Sequence, residues 1–260
     1  MIELLLIGMA TGNPEHLTLQ AINAIKRADL IIIPRKGDEK SDLADVRRSI
    51  CAKFLSSTEQ VIEFDLPKRD DATGNYFDGV SDWHDAIAAT WATLIKQHRP
   101  GGGGTIALLV WGDPSLYDSS MRIAERLSNF DLEPNVTVVP GITSLQLLTA
   151  AHAIPLNTVG GAVQLTTGRR LRDEGWPDGV DSVAVFLDGG CAFTTLSSDN
   201  VYIYWGAYLG MPQEIYRAGL VADVGANIVA MRAEARAQHG WIMDVYLLRR
   251  LTKVDVADAV

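Results

Sequence analysis

A chain of 260 residues, 47% hydrophobic and 21% charged, can bury one large core or two modest ones and is neither disordered nor fibrous. Its net charge of −9 excludes a broadly basic nucleic-acid surface, so an acidic small ligand would have to meet local clusters such as Arg35-Lys36 or Arg169-Arg170. Cys51 and Cys191 stand far apart and the histidines show no ligand spacing, which predicts reduced core thiols and no metal. The opening MIELLLIGMATGNP lacks a basic leader and reads as a first strand. No apolar run approaches the roughly 20 residues needed to cross a bilayer, and a cytoplasmic protein is expected.

In chain order, the apolar run Ile2 to Ile7 stops at Gly8 and gives way to a loop through Thr11 and Gly12. Asn13 as N-cap, with Pro14 at the first helical position, predicts a helix on which Leu17, Ala21, Ile25 and Ala28 recur. Asp29 to Pro34 reads as a second buried strand. A βαβ unit with a glycine turn invites a dinucleotide reading, but G-x-G-x-x-G needs glycines at 8, 10 and 13, where the chain has Gly8, Ala10 and Asn13. A helix near 42–55 would bury Leu43, Val46, Ile50 and Phe54, followed by a strand from Val61 to Phe64. The segment 67–79 is a polar loop long enough to suggest mobility or binding. The stripe Trp83, Ile87, Trp91, Leu94 and Ile95 on a helix over 82–98 reads as core rather than as a cofactor box. Gly101 to Gly104 reads as a flexible entry to the next strand.

That strand, Ile106 to Trp111, breaks into Gly112-Asp113-Pro114, and Ser115 is placed to cap a helix over 115–129 carrying Leu116, Ile123 and Leu127. The strand Asn135 to Val139 ends likewise in Pro140-Gly141-Ile142-Thr143-Ser144, with Thr143 or Ser144 as cap of a small-residue helix through His152. If the two strands were neighbours, both turns would lie on one sheet edge, offering free N–H groups and a fixed carboxylate to a small polar ligand. Ile154-Pro155-Leu156-Asn157 is the candidate hinge between an N-terminal α/β domain, 1–156, and a smaller C-terminal α/β domain, 157–260, with a cleft between them. In the second, strands are expected at 161–167, 182–188, 201–206 and 241–249 in a mixed sheet, with a helix over 226–238.

The order of these motifs resembles the tetrapyrrole methylases. The Gly8 loop with Asn13-Pro14 and Leu17-Thr18, the strand entry Ala28-Asp29-Leu30-Ile31, the 112–114 and 139–144 turns and Ile154-Pro155-Leu156 follow in the family's sequence. The resemblance implies a two-domain α/β enzyme that moves a methyl group from S-adenosylmethionine to a precorrin. In the second half, Leu165-Thr166-Thr167-Gly168-Arg169, Phe186-Leu187-Asp188-Gly189-Gly190, Tyr204 to Pro212 and His239 to Asp244 resemble the branch that methylates precorrin-5 at carbon one and also expels an acetyl group as acetate.

Carried over by position, the resemblance assigns cofactor binding to Trp111, Gly112, Asp113, Leu116, Thr143, Ser144, Leu187, Asp188, Ala207 and Tyr208. It assigns the macrocycle to the loop of Gly8, Thr11 and Gly12, with Arg35, Lys36, Arg122 and Arg169 as anchors for its carboxylates. Many relatives carry methionine where Asp188 stands, and a carboxylate there is a candidate for the extra chemistry. Deacetylation needs a base and oxyanion stabilisation, for which Asp113, Tyr117, Asp188 and His152 are candidates. For His152, at the end of an apolar helix, a hydrogen-bonded core role competes. A homodimer is expected from apolar surface on both domains. Three readings stay open: this enzyme, a methylase of the same architecture acting on another precorrin or on a protein side chain, and a ligand-binding protein without turnover.

Overall fold

The computed structural model describes residues 1–35, 41–68, 76–197 and 200–251, so Lys36 and residues 69–75 of the polar 67–79 segment lie outside the described residues. The chain forms two compact units, Met1–Thr143 and Ser144–Val260.

The first unit holds a wholly parallel sheet of β1 (Ile2–Gly8), β2 (Leu30–Arg35), β3 (Val61–Asp65), β4 (Gly104–Val110) and β5 (Asn135–Val139), in the order β3-β2-β4-β1-β5. Its central strands are continuous apolar runs because both faces are covered. Leu4, Leu6, Ile32 and Leu108 pack on one face with Ile87, Trp91 and Ile95 of α3 (Tyr76–His98) and Ile123 of α4 (Ser120–Glu125). Leu5, Ile7, Ile31 and Leu109 pack on the other with Ala21 and Ile25 of α1 (Leu19–Arg27) and Ile50 and Cys51 of α2 (Ser41–Phe54). The tryptophan stripe of α3 is core, as its spacing predicts.

Two helix starts differ from expectation. Asn13 does cap, its Oδ1 accepting the Glu15 N–H at 2.9 Å, but what it caps is a single 3-10 turn, Pro14–His16. Leu17 then turns extended and buried, and α1 begins after Thr18, whose hydroxyl accepts the Ala21 N–H at 3.0 Å. Ser115 caps nothing, because its hydroxyl and its N–H both donate back to Asp113. The backbone at Tyr117 is left-handed (φ 51°), and α4 starts only at Ser120, whose N–H is taken by Asp118 Oδ1 at 2.6 Å.

Pro34 in β2 poses a hydrogen-bonding problem, since this strand has neighbours on both sides. The Val110 carbonyl turns toward β1 and accepts the Met9 N–H at 2.9 Å, so the Leu109 carbonyl turns toward β2. Continuing the register Ile31–Ala107 brings the nitrogen of Pro34, which has no hydrogen, to that carbonyl. Arg47 of α2 supplies the missing donor, with Nε 2.9 Å from the Leu109 oxygen.

The second unit holds a mixed sheet of β6 (Val163–Thr167), β7 (Ser182–Phe186), β8 (Val201–Ala207), β9 (Ile215–Leu220) and β10 (Asp244–Arg250), in the order β6-β7-β10-β8-β9. β6 and β7 run parallel; the other pairs are antiparallel. α7 (Val221–His239) packs on β8 and β9, and α6 (Gly168–Glu174) on β6 and β7. The division falls before α5 (Ser144–Ala151) rather than at residues 154–157, because α5 packs on β8 and β10 of this second sheet. The expected hinge is itself tied to β10: Arg249 Nη2 donates to the carbonyls of Pro155 (2.9 Å) and Leu156 (3.2 Å). Edge strand β9 and short α6 were not anticipated, the one lacking a clear apolar alternation and the other being only seven residues long.

Trp91, 3% exposed between α3 and the sheet, sets the packing of this face. Its replacement by alanine is expected to cost about 3–5 kcal/mol, seen as a lower urea midpoint.

Candidate functional site

In the first unit the site is built where β4, β1 and β5 end side by side. Three backbones meet there because two residues, Gly8 and Gly141, lack side chains. A Cβ on Gly141 would lie 2.2 Å from the Gly112 carbonyl oxygen, and one on Gly8 would lie 2.6 Å from the Gly141 nitrogen. Gly112 has φ 68°, and its N–H donates to the Ala10 carbonyl at 2.8 Å, fastening the loop of Thr11 and Gly12 to the turn after β4. Asp113, 9% exposed, ties these turns together. One oxygen accepts the Gly141 N–H at 2.8 Å; the other accepts the Ser115 N–H at 2.8 Å and the Ser115 hydroxyl at 2.5 Å. Burial pushes its carboxyl upward in pKa, but these three donors outweigh burial and hold it below the usual aspartate range. The two turns singled out in the sequence thus share one edge although β1 separates their strands.

Around this staple, Trp111 is half-buried against the α1/α2 core, Leu116 is half-buried, and its N–H donates to the Asp113 carbonyl at 3.2 Å. Thr11 is buried, Gly12 has φ 113°, and Thr143 closes the 140–143 turn. Tyr117 is 43% exposed. The expected anchors do not join this group equally. Arg35 ion-pairs with Asp65 at 2.9 Å and Glu63 at 3.7 Å, and exposed Arg122 donates to the Asp118 carbonyl at 3.0 Å. Arg169 is exposed in the first turn of α6, in the other unit.

In the second unit a comparable knot lies past β7. Asp188, 5% exposed, accepts the N–H groups of Gly190 (2.9 Å) and Ala192 (2.6 Å) and the Tyr246 hydroxyl (2.6 Å). Burial, reinforced by the Asp188 charge, drives the Tyr246 hydroxyl far above the ordinary tyrosine range and keeps it a donor. The Asp188 carbonyl takes Arg232 Nη2 at 2.7 Å, and Arg232 pairs with Asp244 at 2.9 Å, whose carboxylate also accepts the Trp205 indole N–H at 3.0 Å. Gly168 must lack a side chain, since a Cβ there would fall 2.3 Å from the Asp188 carboxyl carbon. This knot holds Leu187 with a left-handed backbone (φ 51°) and 69% exposed. Such strain at an exposed apolar residue costs about 1–3 kcal/mol and is characteristic of ligand-contacting turns.

Several of the assigned residues are committed to contacts within the protein. Asp113 and Asp188 are hydrogen-bond hubs whose oxygens already accept from protein donors, which disfavours both as the base. Tyr208 (φ 52°, 2% exposed) turns its ring into the core beside His239 and Trp241, and its hydroxyl donates to the carbonyls of Ala235 and Trp241. It offers no side-chain wall to a ligand, and Ala207 is fully buried between β9 and β10. His152 has Nε2 3.0 Å from the Trp205 carbonyl and edge contacts to Tyr204 and Tyr216, and burial lowers its pKa, matching the core alternative. Sequence reasoning missed Tyr246, Arg232 and Asp244, which lie on ordinary-looking helix and strand positions. It also missed Arg47, although Arg47 falls on the helical stripe of Leu43, Ile50 and Phe54.

A doubly covered parallel sheet followed by a mixed-sheet unit, each with turns locked at its strand ends, defines an α/β protein built to hold small molecules at those ends. The model of the Tetrapyrrole (Corrin/Porphyrin) Methylases matches residues 3–225, and the chain belongs to this family. It is 48% identical over 252 residues to a Precorrin-6A synthase [deacetylating] from Sinorhizobium sp, covering 96% of each chain. It is similar to the crystal structure of a cobalamin synthesis related protein (CobF) from Corynebacterium diphtheriae, with 38% identity, a TM-score of 0.82 and coverage of 97% and 100% of the two chains. The fold is also that of a Thermus thermophilus uroporphyrin-III C-methyl transferase complexed with S-adenosyl homocysteine, at 18% identity, TM-score 0.59 and coverage of 99% and 100%.

Because folding lowers the Asp113 pKa, its contribution to stability is fully present above the unfolded-state carboxylate pKa and is lost as pH falls through the folded value. Asp113→Asn is therefore expected to lower stability by about 1.5–3 kcal/mol at neutral pH. Urea unfolding of both proteins should show that gap closing in acid.

Proposed function

We propose that this protein methylates precorrin-5 at carbon one using S-adenosylmethionine and releases the acetyl group there as acetate, forming precorrin-6A in aerobic cobalamin biosynthesis. The observation that carries this reading is the 48% identity to the Sinorhizobium Precorrin-6A synthase [deacetylating], which extends over 96% of both chains. Within the first unit, the turn Gly112-Asp113 with its close backbone approach suits a ligand held by main-chain groups.

Bound S-adenosylmethionine supplies a methyl group already activated on a sulfonium sulfur, and the electron-rich macrocycle carbon is the nucleophile. The protein's task is alignment and exclusion of water rather than acid-base work in that step. In this reading Trp111, Gly112, Leu116, Thr143 and Ser144 belong to the cofactor's binding residues, with Leu187 as an apolar contact. Asp113 and Asp188 act as positioning residues that hold the turns in shape. Gly8, Thr11 and Gly12 contact the macrocycle. Loss of the acetyl group requires water to add to its carbonyl and the carbon–carbon bond to break, its electron pair returning to the ring. Tyr117, 43% exposed and next to the Asp113 turn, is the hydroxyl best suited to steady the developing oxyanion.

The reading includes a cytoplasmic homodimer. Among the described residues no helix is long and apolar enough to cross a membrane. Val136 and Val138 on β5 (40% and 38% exposed) and Tyr216 on β9 (51% exposed) are apolar surface on edge strands that support self-association.

Mass spectrometry of an incubation with S-adenosylmethionine and precorrin-5 is expected to show a product that has gained one methyl and lost acetyl, with acetate released in equal amount. A methylated product that retains acetyl would reject the second half of the reaction; cofactor binding with no product would reject catalysis altogether.

A further inference from the structure

Arg47 is the most heavily buried cation that the site has not used. The residue is 9% exposed and lies between α2 and the carboxyl end of β4, two residues before the Trp111-Gly112-Asp113 turn. Nε donates to the Leu109 carbonyl at 2.9 Å and one Nη donates to the Leu43 carbonyl at 2.9 Å. Among the described residues no carboxylate lies within ion-pair distance. The neighbouring acid is Asp118, which gives one oxygen to the Ser120 N–H. Nη2 has no protein acceptor among the described residues, and the residue keeps 9% of its surface exposed.

Repairing the gap left by Pro34 needs one donor, and a neutral amide would provide it at a smaller desolvation cost. With Asp118 its charged neighbour but no described carboxylate within ion-pair distance, the buried guanidinium is only partly compensated, and an anion arriving at it would complete it. Burial pulls its pKa down to about 10, which leaves it charged at neutral pH. The position is the carboxyl edge of a parallel sheet, where α/β proteins receive ligands.

We infer that Arg47 is a substrate-positioning residue: its free Nη2 takes a carboxylate side chain of the macrocycle, and its other nitrogens anchor that contact to the end of β4. This rests on the reading that the substrate is a tetrapyrrole polycarboxylate. The ligand thereby gains a charge-assisted bond to a group held from two sides, where Arg35 and Arg122 are engaged at the surface.

The test compares wild type, Arg47→Gln and Arg47→Lys, full chain, in three measurements: cooperative unfolding, S-adenosylhomocysteine affinity by calorimetry, and KM and kcat on precorrin-5. Glutamine keeps a donor for Leu109 and removes the charge. R47Q is expected to keep cooperative unfolding and cofactor affinity, to raise KM at least tenfold and to change kcat less than threefold. R47K should recover part of the KM. An unchanged KM in R47Q overturns the inference, as does an equal fall in cofactor affinity, which would mark Arg47 as structural only. If R47Q does not fold, wild type decides: precorrin-5 with its side chains methyl-esterified should bind at least tenfold more weakly than the free acid, and equal binding overturns the inference. Absence of wild-type turnover on precorrin-5 would instead defeat the reading of the reaction, so the two failures are distinct.

Discussion

The N–H of Gly141 donating to the buried carboxylate of Asp113 is the contact on which the first unit's strand ends depend. It joins turns that follow two strands on opposite sides of β1, and it can form only because Gly8 and Gly141 let the backbones approach so closely that no Cβ would fit at either position. A hydrogen bond to a charged group contributes about 1.5–3 kcal/mol, but its larger effect here is geometric. With Asp113 saturated by Gly141 and Ser115, the chain between 112 and 119 cannot coil directly into a helix, and Tyr117 is left projecting on a left-handed backbone.

The second unit reaches a similar end by different means. Asp188 gathers two backbone amides and a tyrosine hydroxyl, and the Arg232–Asp244 pair closes the network from behind. In both units an aspartate that looks catalytic in the sequence fixes a loop. The residues that face outward beside these aspartates, Tyr117 and Leu187, carry the strained backbone. Charge is kept inward, where it sets shape, while Tyr117 and Leu187 present aromatic and apolar surface beside it.

Much of the fold was legible because its signals are local. Runs such as Ile31-Ile32-Ile33 and Leu4-Leu5-Leu6 read as strands covered on both faces, and the helical spacing of Trp91 with Ile87 and Ile95 names one packed face. The sharing of one edge by the 112–114 and 140–144 turns was expected only if their strands were neighbours; β1 lies between them, and the edge is shared all the same. Helix starts were misjudged where a side chain had two possible partners: Ser115 can cap forward or donate backward, and only the position of Asp113 decides. The roles of Asp188 and Tyr208 were hidden for another reason. Their partners, Tyr246 and Trp241, lie more than thirty residues further along the chain, and no short motif joins them. Arg47 stood on an apolar helical stripe, but its purpose became visible only when the β2–β4 register exposed the gap at Pro34.

The crowding around Asp188 has an evolutionary consequence. Methionine at this position would strand two amides and a buried phenol, and beside the present Asp188 carboxylate Gly168 has no room for even a methyl group. A replacement at 188 in this chain is therefore coupled to the residues at 168 and 246 rather than independent of them.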